Sequence, residues 1–570
     1  MRKHFGLKLC ALTLIGIALL TNGCGSSNKN EKTVKEFKEF IETFESKLIP
    51  LYKECNLASW NANITGKDED YKKAADLQFK LNKLFSDKVD FEKLKTFKES
   101  IAITDTLEKR ELELLYNGFL ANQIDTAKLK VIIDMESEIE KKFNTFRAEI
   151  NGKQYTDNQI ESILKNSTNS DSLKEAWLAT KKSGKNVSED VLKLIKKRNE
   201  VAKELGFNNY HEMRLKLGEQ DPKEIEKIFD ELDSLTKDGF AKLKDEMDDY
   251  FAKRYKIKKE ELMPWHYQNR FFQEAPKIYA VDLDKYFKGK DLAEITKKYY
   301  AGIGLDISDL ITKSDLFEKK GKMQHAFCTD IDNEGDVRVL CNVVDNEYWM
   351  NTLLHEFGHA VYDKYIDRSL PYLLRDPAHT FTTEAIAELF GRFSSNPQWL
   401  KDVVGISDKE KKEIAQNVNK SLKLQMLVFS RWSQVMYRFE KSLYENPDQD
   451  LNKLWWDLVE KYQLLKRPKD RNEPDWASKV HIATSPCYYH NYLLGELLAS
   501  QFYYYITENV LKSNDFVPST RESFAGKTEV GKYFMDKVFK PGAKYYWNDM
   551  IEKATGEKLT AKYYAKQFVE

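Results

Sequence analysis

Asn346-Glu347-Tyr348-Trp349-Met350-Asn351-Thr352-Leu353-Leu354-His355-Glu356-Phe357-Gly358-His359-Ala360-Val361-Tyr362-Asp363-Lys364-Tyr365-Ile366 carries apolar side chains at helical spacing. Trp349, Leu353, Leu354, Phe357, Val361 and Tyr365 fall on one stripe, and Asp345 or Asn346 can cap the start, so a helix is predicted here. On that helix His355 and His359 lie one turn apart and project from one face, where both imidazoles can reach a single cation. Glu356 follows the first histidine. It is too close in sequence to be a comfortable third ligand, and it is placed to take a proton from a water at that cation. Two ordinary surface histidines are the plainer reading, but the stripe around them is apolar, and buried imidazoles need a partner.

A catalytic zinc site needs a third protein ligand and one open position. Thr380-Phe381-Thr382-Thr383-Glu384-Ala385-Ile386-Ala387-Glu388-Leu389-Phe390 follows downstream. Thr382 or Thr383 can cap a second helix that carries Glu384 and Glu388 on one face. Glu384 as the ligand, with Glu388 accepting from a ligand imidazole, is one assignment; Glu388 as the ligand is the other. Farther on, Lys479 to Tyr492 gathers a lysine, two histidines and three tyrosines. Such a run can donate to an oxyanion, or its rings can simply be core.

Around these segments the pattern is helical. From about Lys32 to Phe251 long amphipathic helices are expected, with solvated charged faces, as in Leu112 to Phe146. Only 13 Pro and 24 Gly interrupt the 570 residues, which favours helix, and Pro264 marks one break. Between Met323 and Val344, the crowding of Val337, Val339, Leu340, Val343 and Val344 reads as one or two short strands. Neither an internal repeat nor a Gly/Ser-rich linker divides the body of the chain. The fold class expected is predominantly all-α: a large two-lobed helical domain over residues 32–570, with a deep central cleft and a small β element near the histidine helix. Aromatics reach 13%, and their plain reading is core packing. The 91 basic and 91 acidic residues cancel, so nucleic acid or an anionic membrane surface is not expected as the main partner.

The amino terminus reads as a targeting signal over residues 1–23: Arg2 and Lys3, then an apolar run from Leu9 to Leu20 that is too short to span a bilayer comfortably. Leu20-Thr21-Asn22-Gly23-Cys24 resembles the cleavage box of bacterial lipoproteins, with Thr21 a departure, and a plain secretory signal is the alternative. Cys24 would carry the lipid, residues 24–31 would be a flexible tether, and the protein would face the periplasm or cell exterior, touching the membrane only through that lipid. Of the remaining cysteines, Cys328 and Cys341 flank a turn-like Asp332-Asn333-Glu334-Gly335 and are the pair to expect if a disulfide forms; free thiols are the alternative.

The chain is similar to the angiotensin-converting-enzyme family of peptidyl-dipeptidases, in the form of a bacterial lipoprotein. Beyond the His-Glu-x-x-His helix, Ala58-Ser59-Trp60-Asn61-Ala62-Asn63-Ile64-Thr65 resembles the family's early helix, and His325-Ala326 its His-Ala pair. Thr383-Glu384-Ala385-Ile386 resembles its third-ligand helix, and Asp475 with Lys479-Val480-His481-Ile482 its Lys-Phe-His-Ile element. The resemblance implies one zinc held by His355, His359 and Glu384, with Glu356 as general base and then acid. It implies Tyr492 at the oxyanion, His481 at the transition state, and His325 and Ala326 on the substrate backbone. Lys479 and Tyr489, helped by Gln273, would hold the terminal carboxylate of a short peptide and so direct release of C-terminal dipeptides. The interval from His481 to Tyr492 is one residue longer than in the family, and Tyr488 rivals Tyr489. Asn491 replaces an arginine that helps bind chloride in the animal enzymes, so chloride activation is doubtful. Pro486 and the tyrosine-rich run also resemble the helical oligoendopeptidases. An oligoendopeptidase, or an inactive peptide-binding lipoprotein, is therefore the competing expectation.

Overall fold

The computed structural model describes residues 22–279, 281–513 and 522–569. It is predominantly helical, with two small antiparallel hairpins as the sheets among the described residues. Residues 1–21 and the side chain of Cys24, on which the targeting and lipidation readings rest, lie outside what is described. No helix among the described residues is long and apolar enough to cross a membrane.

The first four helices, Asn22–Thr65, Asp68–Phe85, Lys88–Glu99 and Thr106–Ala121, form a small lobe. Phe37, Phe40, Ile41, Phe44 and Leu48 follow one another at helical spacing and bury one stripe against Leu94, Phe97, Leu112, Leu115 and Phe119. Asp87 and Asp105 cap the third and fourth helices by accepting from two backbone N–H groups each. The first helix runs back through residues 24–31, where a tether was expected. The segment contains no proline, and extending a helix already fixed by packing costs far less than starting one.

The large lobe has one continuous core. Its longest helices are Ser170–Glu204, Pro222–Tyr255 and Asp408–Glu445. Their starts carry strong local signals: Asp221 followed by Pro222, and the reciprocal Ser407/Glu410 capping box. Trp177, Trp399, Trp432, Trp456, Trp476 and Trp547 are fully buried, which confirms packing as the main use of the large rings. The expectation of helix throughout Lys32 to Phe251 fails at Ala148–Ile150 and Lys153–Tyr155, which pair as a hairpin. Asn151 and Gly152, both at positive φ, make its two-residue turn. Asn-Gly is the dipeptide that such a turn favours, because both positions need the left-handed region.

The second hairpin pairs Phe327–Asp330 with Val337–Leu340. Trp60 of the first helix packs on its Phe327, Ile331 and Leu340, and Asn56 Nδ2 donates to the carbonyls of Asp330 and Ile331. From the other side, Tyr372 and Leu373 of the large lobe enter the small lobe's core. These contacts leave a cleft between the hairpin, the first helix and the histidine helix. The four described cysteines, Cys55, Cys328, Cys341 and Cys487, are free thiols. Cys328 stands opposite Val339 in the ladder, so Cys341 is a diagonal step further along rather than its direct partner.

Candidate metal centre and cleft

Asn346 caps the helix Glu347–Lys364 by accepting from Trp349 N–H. The next helix, Thr380–Gly391, is capped not by Thr382 or Thr383 but by His379, whose Nδ1 accepts from Phe381 N–H. The two threonines do other things. Thr382 Oγ1 donates to His379 O at 2.7 Å, and Thr383 Oγ1 lies 2.8 Å from His359 Nδ1. The second contact fixes the ring so that Nε2 faces the cleft, as a metal-binding imidazole requires. Local spacing does not reveal this role for Thr383, because the partner that gives it is 24 residues away.

Two glycines, Gly358 and Gly495, let the helices meet, and a third, Gly391, sits beside them with room for a Cβ. A Cβ at Gly358 would lie 2.8 Å from Ala387 Cα, closer than real contacts allow. A Cβ at Gly391 would touch His355 Cβ at 3.5 Å, and one at Gly495 would meet Glu384 Cγ at 3.2 Å. Gly358 therefore brings the histidine helix against the glutamate helix, and Gly495 lets the helix His490–Tyr505 close over Glu384.

The close crossing places His355 Nε2 3.7 Å from Glu384 Oε1 and His359 Nε2 3.6 Å from Glu384 Oε2. The ligand atoms of His355, His359 and Glu384 all lie within 4.8 Å of one another. Those separations are too long for hydrogen bonds and close to the ~3.4 Å expected between two ligands of one tetrahedral zinc. On the far side of its ring, His355 Nδ1 is 3.8 Å from Glu388 Oε1. Glu384 thus faces both Nε2 atoms, and Glu388 faces the back of one imidazole.

The electrostatics also suit a cation. Burial lowers the affinity of His355 and His359 for a proton, which leaves them as neutral ligands. Burial raises the Glu384 carboxyl, and Glu388, Glu356 and Glu496 raise it further. Arg392 compensates part of this charge by pairing with Glu496. The remaining carboxylates crowd a site that a divalent ion would neutralise, so the donor set fits the metal that the sequence pattern implies.

Glu356 and His359 also line a cavity of about 550 Å³, with Ala326, Cys328, Thr329, Asp363 and Thr383 among its walls. Burial raises the Glu356 carboxyl above its usual range. Ala326 immediately precedes the edge strand of the hairpin, whereas His325 is exposed and is not among the lining residues. Beyond those walls, buried Lys479 donates to Gln273 Oε1 at 2.6 Å, and its ammonium sits 5.3 Å from the Tyr489 ring. Burial pushes Lys479 down to about 8. Tyr489 OH accepts from Trp432 Nε1 at 2.8 Å, which leaves its own proton to donate. His481 meets Tyr489 edge-on with ring centroids 5.4 Å apart, and its Nδ1 is buried without a hydrogen-bond partner. Tyr492 packs against both Tyr488 and Tyr489; burial raises its hydroxyl, and Tyr488 and the Glu384 carboxylate raise it further. Asn491 Oδ1 accepts from Gln220 Nε2.

A family model described as angiotensin-converting enzyme matches residues 31–568. Angiotensin-converting enzyme of Rattus norvegicus is 26% identical over 245 residues, 41% of this chain and 18% of that protein. The same enzyme of Oryctolagus cuniculus is 25% identical over 240 residues, again 41% of this chain and 18% of the relative. Thermostable carboxypeptidase 1 of Pyrococcus furiosus is 24% identical over 279 residues, 42% of this chain and 51% of that protein. The alignments thus span less than a fifth of the mammalian relatives and about half of the archaeal one.

Proposed function

Because the chain belongs to the angiotensin-converting enzyme family, whose members are metallopeptidases, we propose that it is a zinc-dependent peptidyl-dipeptidase acting on short peptides. The observation that carries this reading is the convergence of His355, His359 and Glu384, with Tyr492 close enough to feel the Glu384 carboxylate and linked through the Tyr489 ring to the buried ammonium of Lys479. His355 Nε2, His359 Nε2 and a Glu384 oxygen would hold the ion, and Glu388 would orient the His355 ring. Bound there, zinc supplies Lewis-acid polarisation of the scissile carbonyl and lowers the pKa of an attacking water.

The chain's own groups do the rest. Glu356 takes the water's proton on a carboxylate oxygen while the water oxygen bonds to the carbonyl carbon. It then delivers that proton to the leaving amide nitrogen as the C–N bond breaks. The raised affinity of its carboxyl suits both halves of that task. Tyr492 OH donates to the developing oxyanion, and the His481 imidazole supports the same transition state. Lys479, Gln273 and the Tyr489 hydroxyl receive the peptide's terminal carboxylate, and the ammonium gives a charge-assisted contact that an amide cannot replace. The edge beside Ala326 pairs with the substrate backbone, and the neighbouring His325 would extend that contact. Export through a lipid on Cys24, facing the periplasm or cell exterior, completes the proposal.

A defined peptide, offered with a free and with an amidated carboxyl end and with or without chelator, tests this by mass spectrometry of the products. The expected result is loss of a C-terminal dipeptide from the free acid, at least ~10-fold slower attack on the amide, and none with chelator. Release of single residues would favour carboxypeptidase action, and equal interior cleavage of both peptides would favour an oligoendopeptidase; either result contradicts the proposal.

A further inference from the structure

His481 and Tyr492 stand on different elements. His481 opens the single turn His481–Thr484, and Tyr492 lies in the first turn of the helix His490–Tyr505. Five residues, Ser485 to Tyr489, connect them and must reverse the chain tightly enough to bring the His481 ring onto Tyr489. The reversal is made by Cys487, a residue with a Cβ held at φ 58°. That left-handed conformation is unfavourable for an L-residue with a Cβ, and it persists only where surrounding contacts impose it.

The contacts are specific. Cys487 N–H donates to Glu440 Oε1 at 2.7 Å, and Glu440 is buried, 47 residues away on the helix Asp408–Glu445. On the His481 side of the turn, Arg198, fully buried on the helix Ser170–Glu204, donates from its NH2 nitrogen to Ala483 O at 2.5 Å. Its NH1 nitrogen donates to Tyr444 OH at 3.1 Å, and its NH2 nitrogen also reaches Glu136 Oε1 at 2.5 Å. Neither Glu440 nor Arg198 lines the cavity beside Glu356 and His359. Two buried polar side chains from separate helices therefore grip the backbone here: Glu440 holds the Cys487 N–H inside the irregular segment, and Arg198 holds the Ala483 carbonyl in the turn that leads into it.

We propose that Glu440 and Arg198 are positioning residues: Glu440 holds the Ser485–Tyr489 bridge in its left-handed turn, Arg198 holds the His481–Thr484 turn that leads into it, and together they set His481 and Tyr492 in register with each other. The inference rests on the peptidase reading above, since it concerns groups that act at the transition state. A clamp of this kind acts on kcat more than on KM: His481 and Tyr492 touch the reacting centre, while Tyr489, at the end of the bridge, is anchored separately by Trp432 Nε1 donating to its hydroxyl.

The decisive comparison is wild type, Glu440→Ala, and Glu440→Ala combined with Cys487→Gly, in the zinc-loaded full chain. Glu440→Ala is expected to lower kcat at least ~10-fold with KM changed less than ~3-fold, and hydrogen exchange should show the Cys487 amide losing protection. Glycine takes the left-handed conformation without a Cβ penalty, so the double variant should regain most of the lost kcat. A purely structural role for Glu440 would not be rescued by glycine 47 residues away. Unchanged kcat in Glu440→Ala, or no recovery in the double variant, overturns the inference. If Glu440→Ala does not fold, Cys487→Val replaces it: β-branching disfavours the left-handed turn, so kcat must fall at least ~10-fold, and an unaffected kcat is the contrary result. A wild-type chain that hydrolyses no peptide overturns the peptidase reading together with this one; an active wild type with indifferent variants overturns this one alone.

Discussion

Glu356→Gln is expected to keep its metal and lose about 10³-fold in kcat, the middle of the range for a positioned general base. The substitution is nearly isosteric and removes only the ability to accept a proton. His355, His359 and Glu384, whose ligand atoms lie within 4.8 Å of one another, are untouched. Glu356 faces the cavity beside His359 rather than joining that triangle, so its loss should not release the ion. The expected effect corresponds to ~4 kcal/mol in the activation barrier. Zinc content and steady-state kinetics on one preparation check both halves. Full turnover in the variant would remove Glu356 from the proton path, and loss of zinc would mean that it helps hold the ion.

Lys479→Ala should raise KM for free-acid peptides about 10- to 100-fold, the range for losing one hydrogen bond to a charged group in a buried setting. Peptides with an amidated end should hardly respond. The pH dependence carries a second sign. Burial pushes the Lys479 ammonium down to about 8, opposed in part by Glu274. Below that pH the group is charged and can bind a carboxylate. As pH rises through about 8 it loses its proton, and KM for free-acid peptides should climb while KM for amides stays level. A matched series of the two peptide classes between pH 6 and 10 reads this directly. The same rise for both classes would mean that Lys479 does not face the terminal carboxylate.

Much of this site could be read from local pattern. His355 and His359, like Glu384 and Glu388, are four apart, and helix geometry alone puts each pair on one face. The apolar stripe around the first pair foretold the helix that buries Leu353, Leu354, Phe357 and Val361. What escaped was set by distant partners. Thr383 orients His359 instead of capping its own helix, which depends on the Gly358–Ala387 crossing. The extra residue between His481 and Tyr492 could not be placed from sequence. The left-handed turn that lies within that interval is at Cys487, a residue with no turn propensity, and its partner is Glu440 on another helix. The Asn151-Gly152 hairpin was the opposite case. Its signal was local and present, but it was outweighed by the long helical pattern on either side.

The central claim is that two imidazoles and one carboxylate from separate helices share a single ion. Zinc per chain, measured in purified wild type and in Glu384→Ala after equal dialysis, tests it most directly. The account predicts about one zinc in the wild type and a large loss in the variant, since two imidazoles alone make an incomplete site. A wild type without metal, or a variant that keeps its full complement, would contradict it.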